Sequence, residues 1–208
     1  MENVFNNSER RTRKEASLFE AALDVFSELG FRKAGVEEIA RRAGIAAGTI
    51  YLYATSKRDL YRRVVEYGLG KWQAAVALAA ETADGGQGGA RARFEALCRA
   101  AFSYLAAEPR LRRILVRDPL LFPATHGSAP GDDPFETVNR RSIEMLEAAI
   151  AAGVESGEFA VEDTSAAAEL LFSLYRVIIE KAYIAEDGAE ARRFEAGLAI
   201  ILDGISRR

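Results

Sequence analysis

The chain has 208 residues, 49% of them hydrophobic and 28% charged, a composition typical of a globular protein with one ordinary domain or two smaller ones. Its one cysteine, Cys98, excludes an intrachain disulfide framework, and its one histidine, His126, leaves no basis for a histidine-built metal site or a Ser-His-Asp triad. The net charge of −3 does not by itself indicate a nucleic-acid binder, but residues 1–63 have a balance of +3, which leaves −6 on the remainder.

The chain shows no sign of a membrane or secretory destination. No apolar run is long enough to span a bilayer, and the N-terminus "MENVFNNSERRTRKEA" lacks the apolar region of a signal peptide. We therefore expect a cytoplasmic protein. No cofactor motif was found, so we expect none to be bound.

Helical spacing of apolar residues, interrupted by glycine and proline, predicts an all-α protein of about nine helices. The first is expected to stop at Gly30 and the second at Gly44. Glycine-rich and Gly/Pro/Asp-rich loops are expected at residues 82–90 and 123–134. The predicted helices cover about residues 13–29, 36–43, 47–53, 56–80, 90–107, 110–117, 134–156, 165–184 and 189–205.

The second and third predicted helices are about two turns each, and about three residues starting at Gly44 join them. Neither helix would be stable alone. Two such helices braced by a longer first helix form the helix-turn-helix pattern, although the same arrangement also occurs as an ordinary corner in helical bundles.

Residues 18–60 resemble the TetR/AcrR family of transcriptional regulators. The match is carried by "LFEAALDVFSELGF", "VEEIARRAGIAAGTIYLY" and "SKRDL". It implies an N-terminal three-helix helix-turn-helix DNA-binding head (residues 12–71, motif about 35–54). A long fourth helix would join this head to a helical ligand-binding and dimerisation domain (72–208).

The sequence departs from the family pattern at four positions. Ala46 stands where Ser or Thr is usual, so the third helix lacks a side-chain N-cap. Gly35 replaces a usual Ser or Thr, Leu52 occupies a position that is often polar, and Ala54 one that is often Phe. These changes bear on how bases are read rather than on the fold.

Several residues of the motif are candidates for contact with DNA. Thr49, Tyr51 and Tyr53 can hydrogen-bond phosphate, with a core position as the alternative for Tyr51. Gly48 would allow a close approach of the backbone to a groove wall, or serve as a packing glycine. Lys57 follows the N-cap Ser56 and would bind phosphate at a helix N-terminus. The full set is Arg41, Arg42, Ala46, Ala47, Gly48, Thr49, Tyr51, Tyr53 and Lys57.

Base reading has few candidates, because the third predicted helix contains no Arg, Asn or Gln. It would depend on methyl contacts from Ala46, Ala47 and Thr49 to thymine, or on Arg41 and Arg42. Those two arginines also suit the negative end of their own helix, which is the structural alternative. The basic run forms an arm near DNA or a solvated charge run: Arg10, Arg11, Arg13 and Lys14.

The last two helices are the candidate dimer surface, because the first of them is apolar nearly all round and needs burial on two sides. The alternative is burial wholly within one chain. The predicted interface residues are Leu170, Leu174, Ile178, Phe194, Leu198, Ile201, Leu202 and Ile205.

The middle helices would enclose an apolar ligand cavity, unless the same residues are plain core. Arg113 and Arg176 are possible anchors for an anion, and Cys98 is expected to be a buried small hydrophobe rather than a redox sensor. The candidate pocket residues are Trp72, Leu97, Phe102, Leu105, Arg113, Met145, Phe172, Tyr175 and Arg176.

Together these features favour a homodimeric repressor that binds a palindromic operator and is released by a small apolar or amphipathic effector. The effector would tilt the fourth helix and change the separation of the two recognition helices from about 34–36 Å. An activator or a ligand-independent DNA-binding protein of the same fold is the alternative. A helical carrier or an enzyme is disfavoured, because the sequence has no recognisable catalytic constellation.

Overall fold

A computed structural model describes residues 2–117, 136–185 and 190–206, with side chains placed for most of them. Within these ranges the protein consists of α-helices joined by short turns and contains no β-strand, which confirms the predicted all-α class. The helices are α1 (Glu2–Lys33), α2 (Val36–Ala43), α3 (Lys57–Glu81), α4 (Ala90–Ala107), α5 (Pro109–Arg117), α6 (Glu136–Glu155), α7 (Thr164–Ala185) and α8 (Glu190–Ile205). Two 3-10 segments cover Ala47–Leu52 and Ala83–Gly86.

Most of the predicted helix boundaries lie within a few residues of these. The predicted loop over residues 123–134 and His126 lie outside the described residues. The first helix is longer than predicted, because it begins at Glu2 and continues through the basic run. The predicted stop at Gly30 is confirmed as a break, since Gly30 has φ 73 and ψ 162 and only a short turn follows it.

Helix α3 connects the N-terminal helices to the rest of the chain. Its first half buries Leu60 and Val64 and packs Tyr61 edge-on against Phe26, with ring centroids 4.9 Å apart. Its second half buries Trp72 against the helices that follow in the chain, α4 to α8, which we call the body. The predicted domain boundary between residues 71 and 72 therefore lies inside one continuous helix.

Helix α5 packs closely on α3 and α1. A Cβ added at Gly68 of α3 would meet Leu111 Cδ1 of α5 at 3.0 Å, so the absence of a side chain there allows this close approach. Leu111 is fully buried as a result.

The C-terminal body is closed by contacts between distant segments. Gly89, the N-cap residue of α4, has no side chain that could cap the helix. The carboxylate of Glu158 takes this role, because it accepts hydrogen bonds from Ala90 N at 2.8 Å and Arg91 N at 3.1 Å. Nearby, the buried Phe159 packs edge-on against Phe94. These contacts fix the connection between α6 and α7 against the start of α4.

No helix among residues 2–117, 136–185 and 190–206 is both long enough and apolar enough to cross a membrane.

Candidate nucleic-acid interface and apolar cavity

The turn between α2 and the following 3-10 segment depends on Gly44. Its φ of 67 lies in the left-handed region, which costs glycine little. This conformation lets Ile45 N donate to Ala40 O at 3.0 Å and closes the C-terminus of α2. Ile39 and Ala40 are buried against the core, so α2 is held at a fixed angle before the chain turns.

The segment after the turn was predicted to be a helix over residues 47–53 and is a 3-10 helix over Ala47–Leu52. Thr49 N donates to Ala46 O at 2.9 Å and Tyr53 N to Ile50 O at 2.8 Å, both with 3-10 spacing. Ala46 occupies the N-cap position and provides no side-chain hydrogen bond. The missing cap and the six-residue length favour the tighter winding over an α-helical turn.

Because a 3-10 helix has three residues per turn, residues three apart share a face. The inward face consists of Ala47, Ile50 and Tyr53, of which Ile50 is fully buried and the other two pack against the core. Ala47 and Tyr53 had been predicted to contact DNA. In the structure both are half-buried and share the side of the segment on which Ile50 is buried, so they also help to anchor it.

The outer faces of the 3-10 segment are open to solvent. One carries Thr49, which is half-buried, and Leu52, which is 75% exposed; Ala46, the N-cap residue, is exposed directly before the helix. The other carries Gly48 and Tyr51, and the 57% exposure of Tyr51 rules out its alternative role as a core residue. A Cβ added at Gly48 would have no heavy atom within 4 Å, so Gly48 is not a packing glycine.

The two arginines at the end of α2 are engaged by carboxylates. Arg41 donates to Glu38 at 2.8 and 2.7 Å. Arg42 donates to Glu38 at 2.8 Å and makes a two-pronged pair with Glu28 of α1 at 2.9 and 2.7 Å. Hydrogen bonds from Arg41 and Arg42 lower the pKa of Glu38 to about 2, so this carboxylate stays ionised. Arg42 therefore joins α2 to α1, a contact that neither interpretation of these arginines predicted.

Lys57 lies at the N-terminus of α3 but its charge is directed to the end of α1. Its Nζ donates to Arg32 O at 3.2 Å and lies 4.9 Å from the centroid of the Phe31 ring. The ammonium group thus satisfies a carbonyl at a helix C-terminus, where a cation is favourable. No local sequence signal indicates this contact, because the two residues are 25 positions apart.

The N-terminus of α3 has the predicted Ser56–Asp59 cap. Asp59 N donates to Ser56 Oγ at 3.1 Å, and the Asp59 carboxylate accepts from Thr55 N at 2.9 Å. The Thr55 amide, together with the Arg62 side chain, lowers the pKa of Asp59 from its ordinary value of 3.8 to about 2. The carboxylate also suits the positive end of the helix dipole.

Exposed cations surround this part of the molecule. Arg10, Arg11, Arg13 and Lys14 are exposed on α1, so the predicted arm is helical at these residues. Arg32, Lys33 and Arg58 are also exposed, and none of the carboxylates placed by the structure pairs with them within 4 Å. These side chains are available to a polyanion.

A cavity lies between five helices of the body. The free space there, counted together with the opening to solvent, is about 660 Å³. The lining comes from α3, α4, α6, α7 and α8: Trp72, Val76, Phe94, Cys98, Ala101, Ser142, Met145, Leu146, Leu171, Phe172, Tyr175, Phe194, Leu198 and Ile201.

The few polar groups in the cavity wall have partners within the protein. Trp72 Nε1 donates to Ala101 O at 3.0 Å, and Tyr175 Oη donates to the same carbonyl at 2.7 Å. Ser142 Oγ donates to Val138 O at 3.0 Å. Burial raises the pKa of the Cys98 thiol to about 12, which keeps it neutral at physiological pH.

Four of the predicted pocket residues line this cavity: Trp72, Met145, Phe172 and Tyr175. Leu97, Phe102 and Leu105 are buried in the core and are not among the residues that line this cavity. Arg113 is exposed on α5 and does not line the cavity either. The side chain of Arg176 lies outside the described residues. Helical spacing could not distinguish the residues facing the cavity from those facing a neighbouring helix.

The dimer prediction also needs correction at α8. Phe194, Leu198 and Leu202 are buried in their own chain, and Phe194 stacks on Phe102 of α4 at 4.3 Å. Ile201 lines the cavity and Ile205 packs against the core. The predicted interface residues of α8 face their own chain, because α8 packs beside α4.

A different apolar surface is exposed on these helices. Along α7 it includes Leu170, Leu174 and Val177, with Leu170 62% exposed. On α8 it includes Ala196, Ile200 and Gly204, with Ile200 73% exposed. Leu170 and Leu174 belong to the predicted interface, whereas the Ile178 side chain lies outside the described residues. We call this set the α7–α8 surface.

An ion network connects the N-terminal helices to the body. Arg110 of α5 lies 2.9 Å from Glu20, 3.0 Å from Asp24 and 2.8 Å from Glu108. Lys71 and Tyr67 of α3 also donate to Glu20, at 2.8 and 3.0 Å. Partial burial raises the pKa of Glu20, but the hydrogen bonds of Lys71, Tyr67 and Arg110 lower it below its ordinary value.

Within the described ranges, no three or more His, Cys, Asp or Glu side chains cluster in a way that could hold a metal ion.

Comparison with known sequences identifies the N-terminal part. Residues 18–64 match the model of bacterial regulatory proteins, tetR family. The chain is 33% identical over 61 residues to the uncharacterized HTH-type transcriptional regulator YfiR of Bacillus subtilis, covering 29% of this chain and 30% of that one. It is 43% identical over 47 residues to the fatty acid metabolism regulator protein of the same organism, covering 23% and 24%. The matches thus span under a third of these relatives.

The sequence likeness to the tetR family is thus confined to the N-terminal part of the chain.

Solved structures extend the likeness in fold to nearly the whole chain. The fatty acid degradation regulator FadR from Bacillus halodurans has a TM-score of 0.76 at 22% identity, covering 91% of this chain and 98% of that one. A TetR-family transcriptional regulator from Pectobacterium atrosepticum has a TM-score of 0.74 at 24% identity, covering 96% and 97%. The body therefore has the fold of TetR-family regulators.

The Asp59 cap at the start of α3 predicts that the stability of the protein depends on pH. The lowered pKa of Asp59 means that its stabilising effect is fully present above about pH 4 and is lost as the pH falls through about 2. Asp59→Asn should therefore lower the free energy of unfolding at pH 7, and its difference from wild type should shrink between about pH 4 and 2. Urea unfolding followed by circular dichroism at each pH measures this. A difference independent of pH would contradict the assignment.

Proposed function

We propose that the protein is a ligand-responsive transcriptional regulator that binds operator DNA as a homodimer and is released by an effector with a hydrocarbon chain. The observation that carries the proposal is the path of α3. This helix begins beside the DNA-binding motif of a TetR-type head and continues to Trp72 and Val76, which line an apolar cavity. One rigid element thus contacts both candidate sites.

Binding to DNA is supported by the exposure and charge of the head. The 3-10 segment presents two open faces, and it is supported from below by Ile50. Arg58 and Lys33 are exposed nearby, where they can contact phosphates and fix the position of the head without selecting a sequence. Lys57 can serve as a phosphate ligand only if its Nζ shares or leaves Arg32 O.

The chemistry of the cavity favours an apolar effector. Its polar wall groups already have protein partners, so a polar ligand atom placed there would lack hydrogen bonds. An alkyl chain has no such requirement and would displace water from apolar surface. The FadR of Bacillus subtilis, which has a TM-score of 0.75 to this chain at 20% identity, was solved in complex with stearoyl-CoA. We propose a long-chain acyl compound as the effector class.

Coupling would run through α3 and α5. An acyl chain bound against Trp72 would displace the second half of α3. Because α3 is one continuous helix, its first half and the adjoining DNA-binding motif would move as well. Arg110 holds α1 to the body through Glu20 and Asp24, so a movement of α5 also reaches the head. The effector would bind more tightly to the arrangement that fits DNA poorly, and operator affinity would fall. This predicts repression that is relieved by the effector.

A homodimer is proposed because one short recognition segment makes too few contacts for useful specificity. The α7–α8 surface fits a second copy, since it exposes a row of apolar residues along two adjacent helices. The small residues Ala196 and Gly204 would let two helices approach closely.

Binding to DNA can be tested with a charge reversal in the head. Sequences selected from a random duplex pool should contain an inverted repeat, and a dimer touching about eight phosphates should give a log–log salt slope of about −7. Arg58→Glu should weaken binding to all sequences alike and make the slope shallower by about 2, because each subunit loses a phosphate contact. Arg140→Glu, the same charge change on exposed α6, should leave both unchanged. Equal effects of the two variants would contradict the proposed surface.

Occupation of the cavity can be tested by filling it. Trp72 is the only tryptophan of the chain and lines the cavity, so its fluorescence should report binding of stearoyl-CoA. Cys98→Phe places a larger side chain in the space and should weaken this binding at least tenfold, whereas Cys98→Ala should bind like wild type. Stearoyl-CoA should also release wild type and Cys98→Ala from the selected operator. Unchanged binding by Cys98→Phe would exclude this cavity as the site.

The dimer surface can be tested by placing a charge on it. Leu170→Glu should convert a dimer to a monomer, because a carboxylate would be buried without a partner in the interface. Leu78→Glu is the matched control, since Leu78 is 59% exposed on α3, away from the α7–α8 surface. Light scattering after gel filtration gives the mass of each variant. A dimeric Leu170→Glu, or an equal loss with Leu78→Glu, would place the interface elsewhere.

A further inference from the structure

The recognition segment lacks the groups by which proteins usually distinguish bases. Between Ala46 and Tyr53 the chain has no Arg, Lys, Asn, Gln, Asp or Glu, so it provides no two-pronged hydrogen-bonding side chain for guanine or adenine. The exposed polar atoms of this segment are hydroxyl groups. Hydroxyl groups bond to most bases and to phosphate, and so discriminate weakly.

The nearest arginines do not fill this gap. Arg42 places both terminal nitrogens on the Glu28 carboxylate and its Nε on Glu38. Arg41 donates from Nε to Glu38 Oε2 and from one terminal nitrogen to Glu38 Oε1, the oxygen that also accepts from Arg42 Nε. A guanine would have to displace these charge-assisted hydrogen bonds to obtain a guanidinium fork. The two arginines at the end of α2 are therefore already paired with carboxylates of the head.

What the segment does present is a row of methyl groups. The three-residue repeat of the 3-10 helix places the half-buried Thr49 and the exposed Leu52 on one outer face, and Ala46, the N-cap residue, is exposed directly before it. These side chains end in one, one and two methyl groups, respectively. Leu52 is 75% exposed, so most of its apolar surface contributes no burial free energy in the free protein and is available to a partner. We call this face the methyl row.

The adjoining features allow the methyl row to approach a base edge. Gly48 has open space where a Cβ would stand, so the neighbouring face adds no bulk on that side. Ile50 and Ala47 hold the segment from below, which keeps the row outward. The exposed cations of the head, Arg32, Lys33 and Arg58, would attract the phosphates on either side.

We infer that this head selects its operator chiefly through thymine C5-methyl groups in the major groove, with the methyl row of Ala46, Thr49 and Leu52 as the reading surface. The C5-methyl is the one apolar group that a base pair presents in that groove. The inference rests on the proposed function and specifies which feature of DNA the head would read. It predicts that 5-methylcytosine can replace thymine in part, because it carries a methyl at the same ring position.

The test compares selections from two random duplex pools, one with thymidine and one with deoxyuridine throughout. Deoxyuridine keeps every hydrogen-bonding group of thymidine and lacks only the methyl. The thymidine pool should yield a consensus that contains thymines, and the same sequence made with deoxyuridine should bind more weakly. The expected loss is about three- to fivefold for each contacted thymine, the equivalent of one buried methyl group. Replacing the affected thymidines singly maps the contacts.

Variants connect this loss to the methyl row. Leu52→Ala and Thr49→Ser should each lower the ratio of thymidine to deoxyuridine affinity, while Leu52→Met should retain most of it. Leu78→Ala, an exposed leucine far from the head, should leave the ratio unchanged. Circular dichroism and light scattering establish that each variant is folded and in the same oligomeric state.

The outcomes separate this inference from the proposed function. The same consensus bound equally with thymidine and deoxyuridine overturns the inference alone. A reduced ratio that Leu52→Ala and Thr49→Ser leave untouched also overturns it, because the methyl row is then not the reader. A change in oligomeric state with an unchanged ratio would mark the row as a protein contact and overturn it too. The absence of any consensus in either pool overturns the inference together with DNA-specific regulation.

Discussion

The rest of the structure depends on the burial of one face of α3 along most of its length. The first half of this face packs against α1 through Leu60, Tyr61 and Val64, and the second half packs against the body through Trp72 and Val76. A helix held at both ends behaves as a rigid rod, because its backbone hydrogen bonds run without interruption. The head therefore has no independent hinge at the point where the domain boundary had been predicted.

Charge supplements this apolar contact at the junction. Arg110 and Lys71 approach α1 from α5 and α3 and meet on Glu20. Arg117 adds hydrogen bonds to the backbone carbonyls of Ser27 at 2.9 Å and Glu28 at 3.2 Å. The last turns of α1, the same turns that Arg42 and Lys57 contact from the other side, are thus held from the body as well as from the motif. This region is where a movement of the body must be transmitted.

Much of this arrangement could be predicted from local sequence signals. Gly30, Gly44 and the Ser56–Asp59 cap act on their own backbone neighbours, so their effects are visible in the sequence. The 3-10 winding of Ala47–Leu52 was not predicted, because it results from the absence of a cap together with burial of Ile50 from below. The contact of Lys57 with Arg32 O and the cap of α4 by Glu158 join distant residues, and no periodicity indicates them. On α8 two apolar stripes coexist, and only the position of α4 decides which one faces inward.

The environment of Cys98 has a consequence of a different kind. Its thiol is the only one in the chain, it lies in the cavity wall, and burial raises its pKa to about 12. Alkylating reagents attack the thiolate, which is scarce at neutral pH while the helices around the cavity remain closed. A thiol reagent should therefore label the native protein more slowly than the unfolded chain. Because Cys98 is the only cysteine of the chain, mass spectrometry of the labelled protein reports access to the cavity wall at this one position, without any engineered label.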